Sequence, residues 1–187
     1  MHEQRQRQED GGDGTARGLP AGSTCGATDA EAVVFVCATC AAPLTGPLTR
    51  LPEVPEAPYY AWWEADEPGP SPATVPSGRY AIETQPYGAP LVVTEVSRPA
   101  MPRYATISDV HGQFLVSQGP RGNIVINPGD ARGLELEHAS VACCGASPEG
   151  GMNQVCACGT PVATLSSDCC MPYELHLSAD HVRAERP

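Results

Sequence analysis

Two short cysteine-containing segments carry most of the chemistry that this sequence offers. The first, VFVCATCAAPLT, contains Cys37 and Cys40, and the second, QVCACGTPVAT, contains Cys156 and Cys158. In each segment an apolar run ends at a cysteine, a second cysteine follows closely, and small residues and a proline come next. Cysteine pairs that end a strand and enter a tight turn are typical of zinc knuckles, and two knuckles supply the four thiolates of a closed structural zinc site.

The four cysteines of these segments are therefore the predicted ligands, and soft thiolates favour zinc over magnesium or calcium. The second segment has C-x-C in place of C-x-x-C, and the tighter spacing can turn one sulfur away from the metal. Cys156 accordingly ranks below the other three, and Cys144 or Cys169 is the substitute for it. Inert buried thiols, which bind no metal, are the alternative interpretation of the same residues.

Composition limits the compartment and the partners. The chain has 187 residues, and nine of them are cysteine. No apolar leader follows Met1, so a reducing, cytoplasmic location is expected. In such a compartment paired cysteines are more often metal ligands than disulfides. No run of about 18 apolar residues predicts a membrane span. Acidic residues number 22 against 11 arginines and no lysine, and the net charge of −11 disfavours nucleic acid. A protein or a small molecule is the expected partner.

The elements that must position the cysteines are mostly strands. Turn residues at His111-Gly112 and at Pro128-Gly129-Asp130 predict two hairpins, and Ala179–Glu185 predicts a short C-terminal helix. Apolar runs and two-residue alternation predict strands at Ala32–Cys37, Arg79–Glu83, Leu91–Val96, Tyr104–Val110, Gln113–Ser117, Asn123–Asn127, Leu134–His138, Val162–Ser166 and Tyr173–Leu177.

The chain divides into a tail and one domain. Residues 1–30 contain almost no large apolar side chain and are predicted to be disordered. Residues 31–187 are predicted to form a single zinc-stabilised, β-rich domain with a Pro-rich insertion at about 43–77. The aromatic residues of that insertion are predicted to pack over the sheet, with an exposed recognition patch as the alternative; they are Tyr59, Tyr60, Trp62 and Trp63.

The two strand-and-knuckle units resemble the β-tent class, which includes Yippee, cereblon-type and Mis18 domains and the B-type methionine sulfoxide reductases. VFVCATCAAPL is similar to the first knuckle of those reductases. The resemblance implies two small antiparallel sheets joined at a four-cysteine zinc site. The reductases' G-H-V-F motif and their R-Y/F-C-I-N segment, which carries the catalytic cysteine, are missing from this chain.

A longer part of the chain has a second resemblance. The order PSGRYAIET, NPGDARG, a Cys-Cys-Gly turn, G-x-N, the second knuckle and S-D-C is similar to that of small actinobacterial zinc-knuckle proteins. Those proteins carry no functional assignment, so this resemblance implies a fold and a metal but no activity.

A third resemblance concerns YATISDVHGQF, which is similar to the first motif of calcineurin-like metallophosphoesterases. There Asp109 and His111 would be metal ligands, with Asp130 in a degraded second motif. The further N-H-[DE] and G-H-x-H motifs of that family do not occur in this sequence, so a two-metal site cannot be completed. A β-hairpin is the prediction for these residues.

The sequence thus predicts a non-enzymatic binding or scaffold module built around a structural zinc. The alternative is a thiol-based oxidoreductase related to the B-type reductases, for which the vicinal pairs Cys143-Cys144 and Cys169-Cys170 are the redox candidates. Reactivity separates the two classes, because a catalytic cysteine has a lowered pKa and reacts rapidly.

Overall fold

Runs of β-branched and apolar residues form the central strands of the structure. The computed structural model describes residues 31–61, 63, 71–137 and 144–187. In this part of the chain the strands are β1 Val34–Cys37, β2 Thr49–Arg50, β3 Arg79–Glu83, β4 Leu91–Thr94, β5 Ile107–Ser108, β6 Phe114–Ser117, β7 Asn123–Ile126, β8 Leu134–Leu136, β9 Gln154–Cys156, β10 Pro161–Ser166, β11 Glu174–Leu177 and β12 Val182–Glu185.

The largest sheet has seven strands in the order β2-β3-β7-β11-β10-β9-β8. Its neighbours are antiparallel except β2 and β3, which are parallel. Strands β7 and β11 are buried along their whole length at its centre. Phe35 of β1 belongs to the same buried core cluster as Ile126, Leu175 and Leu177 of this sheet. Each such side chain stabilises the fold by about 1.5–3 kcal/mol, so this core fixes β1 against the large sheet.

The C-terminal segment differs from its prediction. Ala179–Glu185 does not form a helix; its last four residues are β12, which pairs antiparallel with β1 in a separate two-stranded sheet. Val182 is buried, whereas Arg183, Ala184 and Glu185 are exposed. A segment this short makes too few helical hydrogen bonds to be stable alone, while the edge of β1 offers a partner for each backbone group.

A third sheet has three strands in the order β4-β6-β5. The predicted turn at His111-Gly112 is confirmed, because it joins the antiparallel strands β5 and β6. The hairpin predicted at Pro128–Asp130 is wrong: these residues form a 3-10 helix, and β7 and β8 on either side of it lie far apart in the large sheet. The side chain of Asn127 accepts a hydrogen bond from the Gly129 N–H and caps this turn.

The predicted fold class is confirmed in its coarse form, since the described residues are mostly strand. The expectation of two small sheets is wrong, because β7, β11, β10 and β9 pair continuously and make one large sheet. Each predicted strand overlaps an observed one, while β2 and β9, of two and three residues, were not predicted, and β12 falls in the segment predicted as helix. No helix within the described ranges is long and apolar enough to cross a membrane.

The Pro-rich connection begins beside β1. Single bridges join Val33 to Leu48 and Val36 to Pro43, and the chain then forms β2, an edge strand of the large sheet. An edge position suits a segment rich in proline, which cannot donate to a central ladder. The predicted tail at 1–30, Trp62 and Cys143 lie outside the described residues.

A buried charge network holds the loop before β5 against the centre of the large sheet. The Arg103 guanidinium lies 2.7 Å from a carboxylate oxygen of Glu174 on β11 and 2.9 Å from one of Glu83 on β3. His176 lies 2.7 Å from the other Glu174 oxygen and stacks on Tyr87, with ring centroids 3.5 Å apart. Burial raises the pKa of Glu174, but hydrogen bonds from His176 and Arg103 outweigh this effect and lower the pKa to about 2. The carboxylate is therefore charged and needs its arginine.

We predict that Arg103→Met reduces the free energy of unfolding by about 3–5 kcal/mol, because it leaves buried carboxylates without their cation. Chemical denaturation at neutral pH measures this. Arg98→Met is the matched control, since Arg98 is exposed in the same loop and its loss should cost less than about 0.5 kcal/mol. Equal effects of the two substitutions would contradict the role assigned to Arg103.

Candidate metal centre

The first cysteine turn follows β1. Cys37 ends the strand, its carbonyl accepts a hydrogen bond from the Ala41 N–H, and its own N–H donates to the Ala42 carbonyl, both at 2.9 Å. Ala41, directly after Cys40, has a φ of 61°. This left-handed conformation costs an L-residue about 1–2 kcal/mol, and strain of this kind is concentrated at binding sites. The turn therefore presents two sulfurs at a local energetic cost.

The second cysteine turn follows β9 and repeats this pattern with one residue fewer. The Cys156 N–H donates to the Thr160 carbonyl at 2.9 Å, and the Gly159 N–H donates to the Cys156 carbonyl at 2.7 Å. Gly159, directly after Cys158, has a φ of 82°, which glycine adopts without strain. Both turns thus place a left-handed residue directly after the second cysteine.

The two turns bring their four sulfurs together. The Sγ atoms of Cys37 and Cys158 are 3.8 Å apart, those of Cys40 and Cys156 are 3.6 Å apart, and all four lie within 4.8 Å of one another. A tetrahedral ion with metal–sulfur bonds of about 2.3 Å requires sulfurs about 3.8 Å apart. A disulfide requires about 2.05 Å, and the described cysteines form none. The four predicted ligand residues lie close together and can bind a metal ion.

The cluster is half-buried, and its thiols differ in acidity. Cys37 and Cys156 are buried, while Cys40 and Cys158 are exposed. The hydroxyl and the backbone of Thr160 stabilise the Cys158 thiolate by hydrogen bonding and lower its pKa to about 6. A backbone hydrogen bond from Cys158 lowers the pKa of Cys156, but burial and its sulfur neighbours raise it to about 12. The Cys158 thiol therefore loses its proton more readily than the Cys156 thiol, and a metal must displace the proton of Cys156.

The C-terminal segment supports the first turn, a role that sequence reasoning missed. The Ala38 N–H donates to the His181 carbonyl at 2.9 Å, and the Arg183 guanidinium donates to the Ala38 carbonyl at 3.2 Å. The alternation of apolar and charged residues in VRAE was the available signal for β12. Because a helix was predicted there, these contacts could not be anticipated.

Cys144 and Cys169, the predicted substitutes for Cys156, lie in a different place. They form a second group with Asp168, separate from the four-cysteine cluster. Cys156 lies beside the start of β10 and Cys169 follows its end. The six residues of β10 span about 20 Å at ~3.3 Å per residue. The length of this strand therefore keeps Cys169 away from the first site.

The residues that resemble a metallophosphoesterase motif stabilise turns and loops by hydrogen bonding. The Asp109 carboxylate accepts hydrogen bonds from the backbone N–H groups of His111 and Gln113, both at 2.9 Å. The Asp130 carboxylate accepts from the Ser77 hydroxyl at 2.6 Å and from the Gly78 N–H at 2.8 Å. The hydrogen bonds of Asp109 fit the β-hairpin predicted for this segment, and neither carboxylate needs a metal for these contacts.

The aromatic residues of the Pro-rich connection are largely on the surface. Tyr59 is 85 % exposed and Trp63 is 61 % exposed. Together with Tyr60 and Cys170 they line a cavity of about 320 Å³. Exposure on this scale fits the alternative of an aromatic patch better than the predicted packed cover.

Comparison of this chain with protein-family profiles, with curated proteins and with solved structures gives no match. Its function must therefore be argued from the geometry of the cysteine cluster.

Proposed function

We propose that this chain is a non-enzymatic binding or scaffold module whose fold is held by one zinc ion bound to Cys37, Cys40, Cys156 and Cys158. The observation that carries the proposal is the sulfur spacing of 3.6 and 3.8 Å, which matches the edge of a zinc–thiolate tetrahedron of about 3.8 Å. Four soft donors favour zinc among the common redox-inert cations. A reducing compartment such as the cytoplasm keeps these thiols available.

A structural role is favoured over a catalytic one by the donor count. Four protein ligands complete the tetrahedron, whereas catalytic zinc sites keep one position for water or substrate. The ion would link the ends of β1 and β9, which belong to different sheets. Its binding free energy would then contribute directly to folding. The partner of such a module is a protein or a small molecule, and the acidic net charge of −11 argues against nucleic acid.

We expect protein purified under reducing conditions to retain about one zinc per chain after gel filtration in a mild chelator, because a closed four-thiolate site releases metal slowly. Elemental analysis measures the content. Removal of this zinc by a strong chelator should lower the melting temperature by about 10 °C or more, since the ion cross-links distant parts of the chain. Metal-free protein with an unchanged melting curve would refute the structural role.

Substitution identifies the ligands. Cys37→Ser should abolish the retained zinc and destabilise the domain, because a hydroxyl is a poor replacement for a thiolate. Cys156→Ser should do the same, since the structure places its sulfur 3.6 Å from that of Cys40. Cys25→Ser is the control, because Cys25 falls in the tail predicted to be disordered. Full zinc content in both ligand variants would exclude this site.

Alkylation separates the module from the oxidoreductase. In zinc-loaded protein the four ligand thiols should react at least about tenfold more slowly with iodoacetamide than the exposed thiol of Cys170, as peptide mass mapping can show. Chelation should remove this difference for the exposed pair Cys40 and Cys158. Turnover of methionine sulfoxide with dithiothreitol, lost in a single cysteine variant, would favour the enzyme.

A further inference from the structure

A second group of metal-binding residue types lies at the other end of β10. Two loops build it, one before β9 and one between β10 and β11. The Ser167 N–H donates to the Ala146 carbonyl at 3.0 Å, and the Ala146 N–H donates to the Ser167 hydroxyl at 2.9 Å. A Cβ on Gly145 would lie 2.3 Å from the Ser167 carbonyl oxygen. The glycine is therefore required for this close approach, which fixes the adjacent Cys144 beside Asp168 and Cys169.

The potential ligand atoms of this group already converge. The Sγ atoms of Cys144 and Cys169 and a carboxylate oxygen of Asp168 all lie within 4.8 Å of one another. The Cys169 N–H donates to the Cys144 sulfur at 3.0 Å, so this hydrogen bond holds the two cysteines side by side. The geometry thus places two sulfurs and one oxygen around a common point.

Asp168 supplies independent support for a cation. Its side chain accepts the Cys170 N–H at 3.0 Å, and the residue is only 6 % exposed. Among the described residues, no basic side chain forms an ion pair with it. A buried carboxylate is costly unless a countercharge or a metal accompanies it. A bound cation would compensate this charge.

We propose that Cys144, Asp168 and Cys169 bind a second divalent ion of the thiophilic class, zinc or cadmium, with a fourth coordination position open to solvent. Two sulfurs and one carboxylate oxygen suit such an ion. Three protein ligands plus a free position distinguish an open site from the closed four-thiolate site. Cys144 is exposed and Cys169 is partly exposed, so water or another small Lewis base can reach the ion.

The surroundings leave room for an external ligand. The Cys170 sulfur lies 3.7 Å from that of Cys169 and lines the aromatic cavity of about 320 Å³ that also contains Tyr60 and Trp63. The open site therefore adjoins a cavity large enough for a small organic molecule. This arrangement contrasts with the first site, where protein ligands fill the tetrahedron.

The test adds Co²⁺ under anaerobic, reducing conditions to full-length protein that retains its first zinc. A second equivalent should bind and produce thiolate-to-cobalt charge-transfer absorption. Its intensity should be about half that of a fully cobalt-substituted four-thiolate site, because two sulfurs replace four. Imidazole should shift the d–d bands of the second ion alone, since only that ion has a free position. Absence of a second equivalent, or bands that imidazole leaves unchanged, would overturn the proposal.

Variants assign the ligands of the second ion. Asp168→Asn keeps the acceptor for the Cys170 N–H but removes the charge, and Cys169→Ser removes one sulfur. Each should weaken cobalt binding at least about tenfold while the first zinc and the melting temperature stay close to those of the parent. Cys170→Ser is the matched control and should bind normally. Unaltered cobalt affinity in both ligand variants, or a loss in Cys170→Ser equal to that in Cys169→Ser, would refute the three-residue site.

Different measurements test the two proposed metal sites. Loss of the retained zinc in Cys37→Ser is the readout for the proposed function, and loss of the added cobalt in Cys169→Ser is the readout for the second site. Protein that retains no zinc yet binds cobalt in a Cys169-dependent manner would refute the first proposal and support the second.

Discussion

The approach of two cysteine turns from distant parts of the chain is the contact on which the rest of the structure depends. Cys40 and Cys156 are 116 positions apart in sequence, and their sulfurs are 3.6 Å apart. Neutral thiols attract one another weakly, and thiolates at this distance repel. The shared cation proposed above would convert this repulsion into attraction. The same contact adds to the apolar core around Phe35 in holding β1, and through β1 the paired strand β12, against the large sheet.

The cysteine turns could be predicted because their chemistry is local. Residue type and spacing define a knuckle, and the small residues at Ala41 and Gly159 permit the left-handed turns observed there. Whether Cys156 contributes was not decidable from spacing, because it depends on the direction of a turn that Gly159 sets. Cys144 and Cys169 could not be excluded either, since only the length and position of β10 separate them from the first site.

The fold was predictable to a similar depth. Alternation and apolar runs reveal strands, so mostly β structure followed from the sequence. The order of strands did not, because pairing such as that of β7 with β11 joins segments far apart in the chain. The buried network around Arg103 was equally hidden. In a chain with a net charge of −11, nothing local marks Glu83 and Glu174 as the carboxylates that share one arginine.

The pairing of β1 with β12 has a mechanical consequence. Val34 lies opposite Glu185 at one end of the pair, and Cys37 lies opposite Val182 at the other. A pulling force applied through the two ends of the domain acts first on Val34 and Glu185, so it opens the pair one hydrogen bond at a time, as a zipper opens. The peeling then reaches Cys37, where the cysteine cluster begins. The zinc ion proposed for this cluster would resist further opening, and the zinc content would then set the force that this domain can bear.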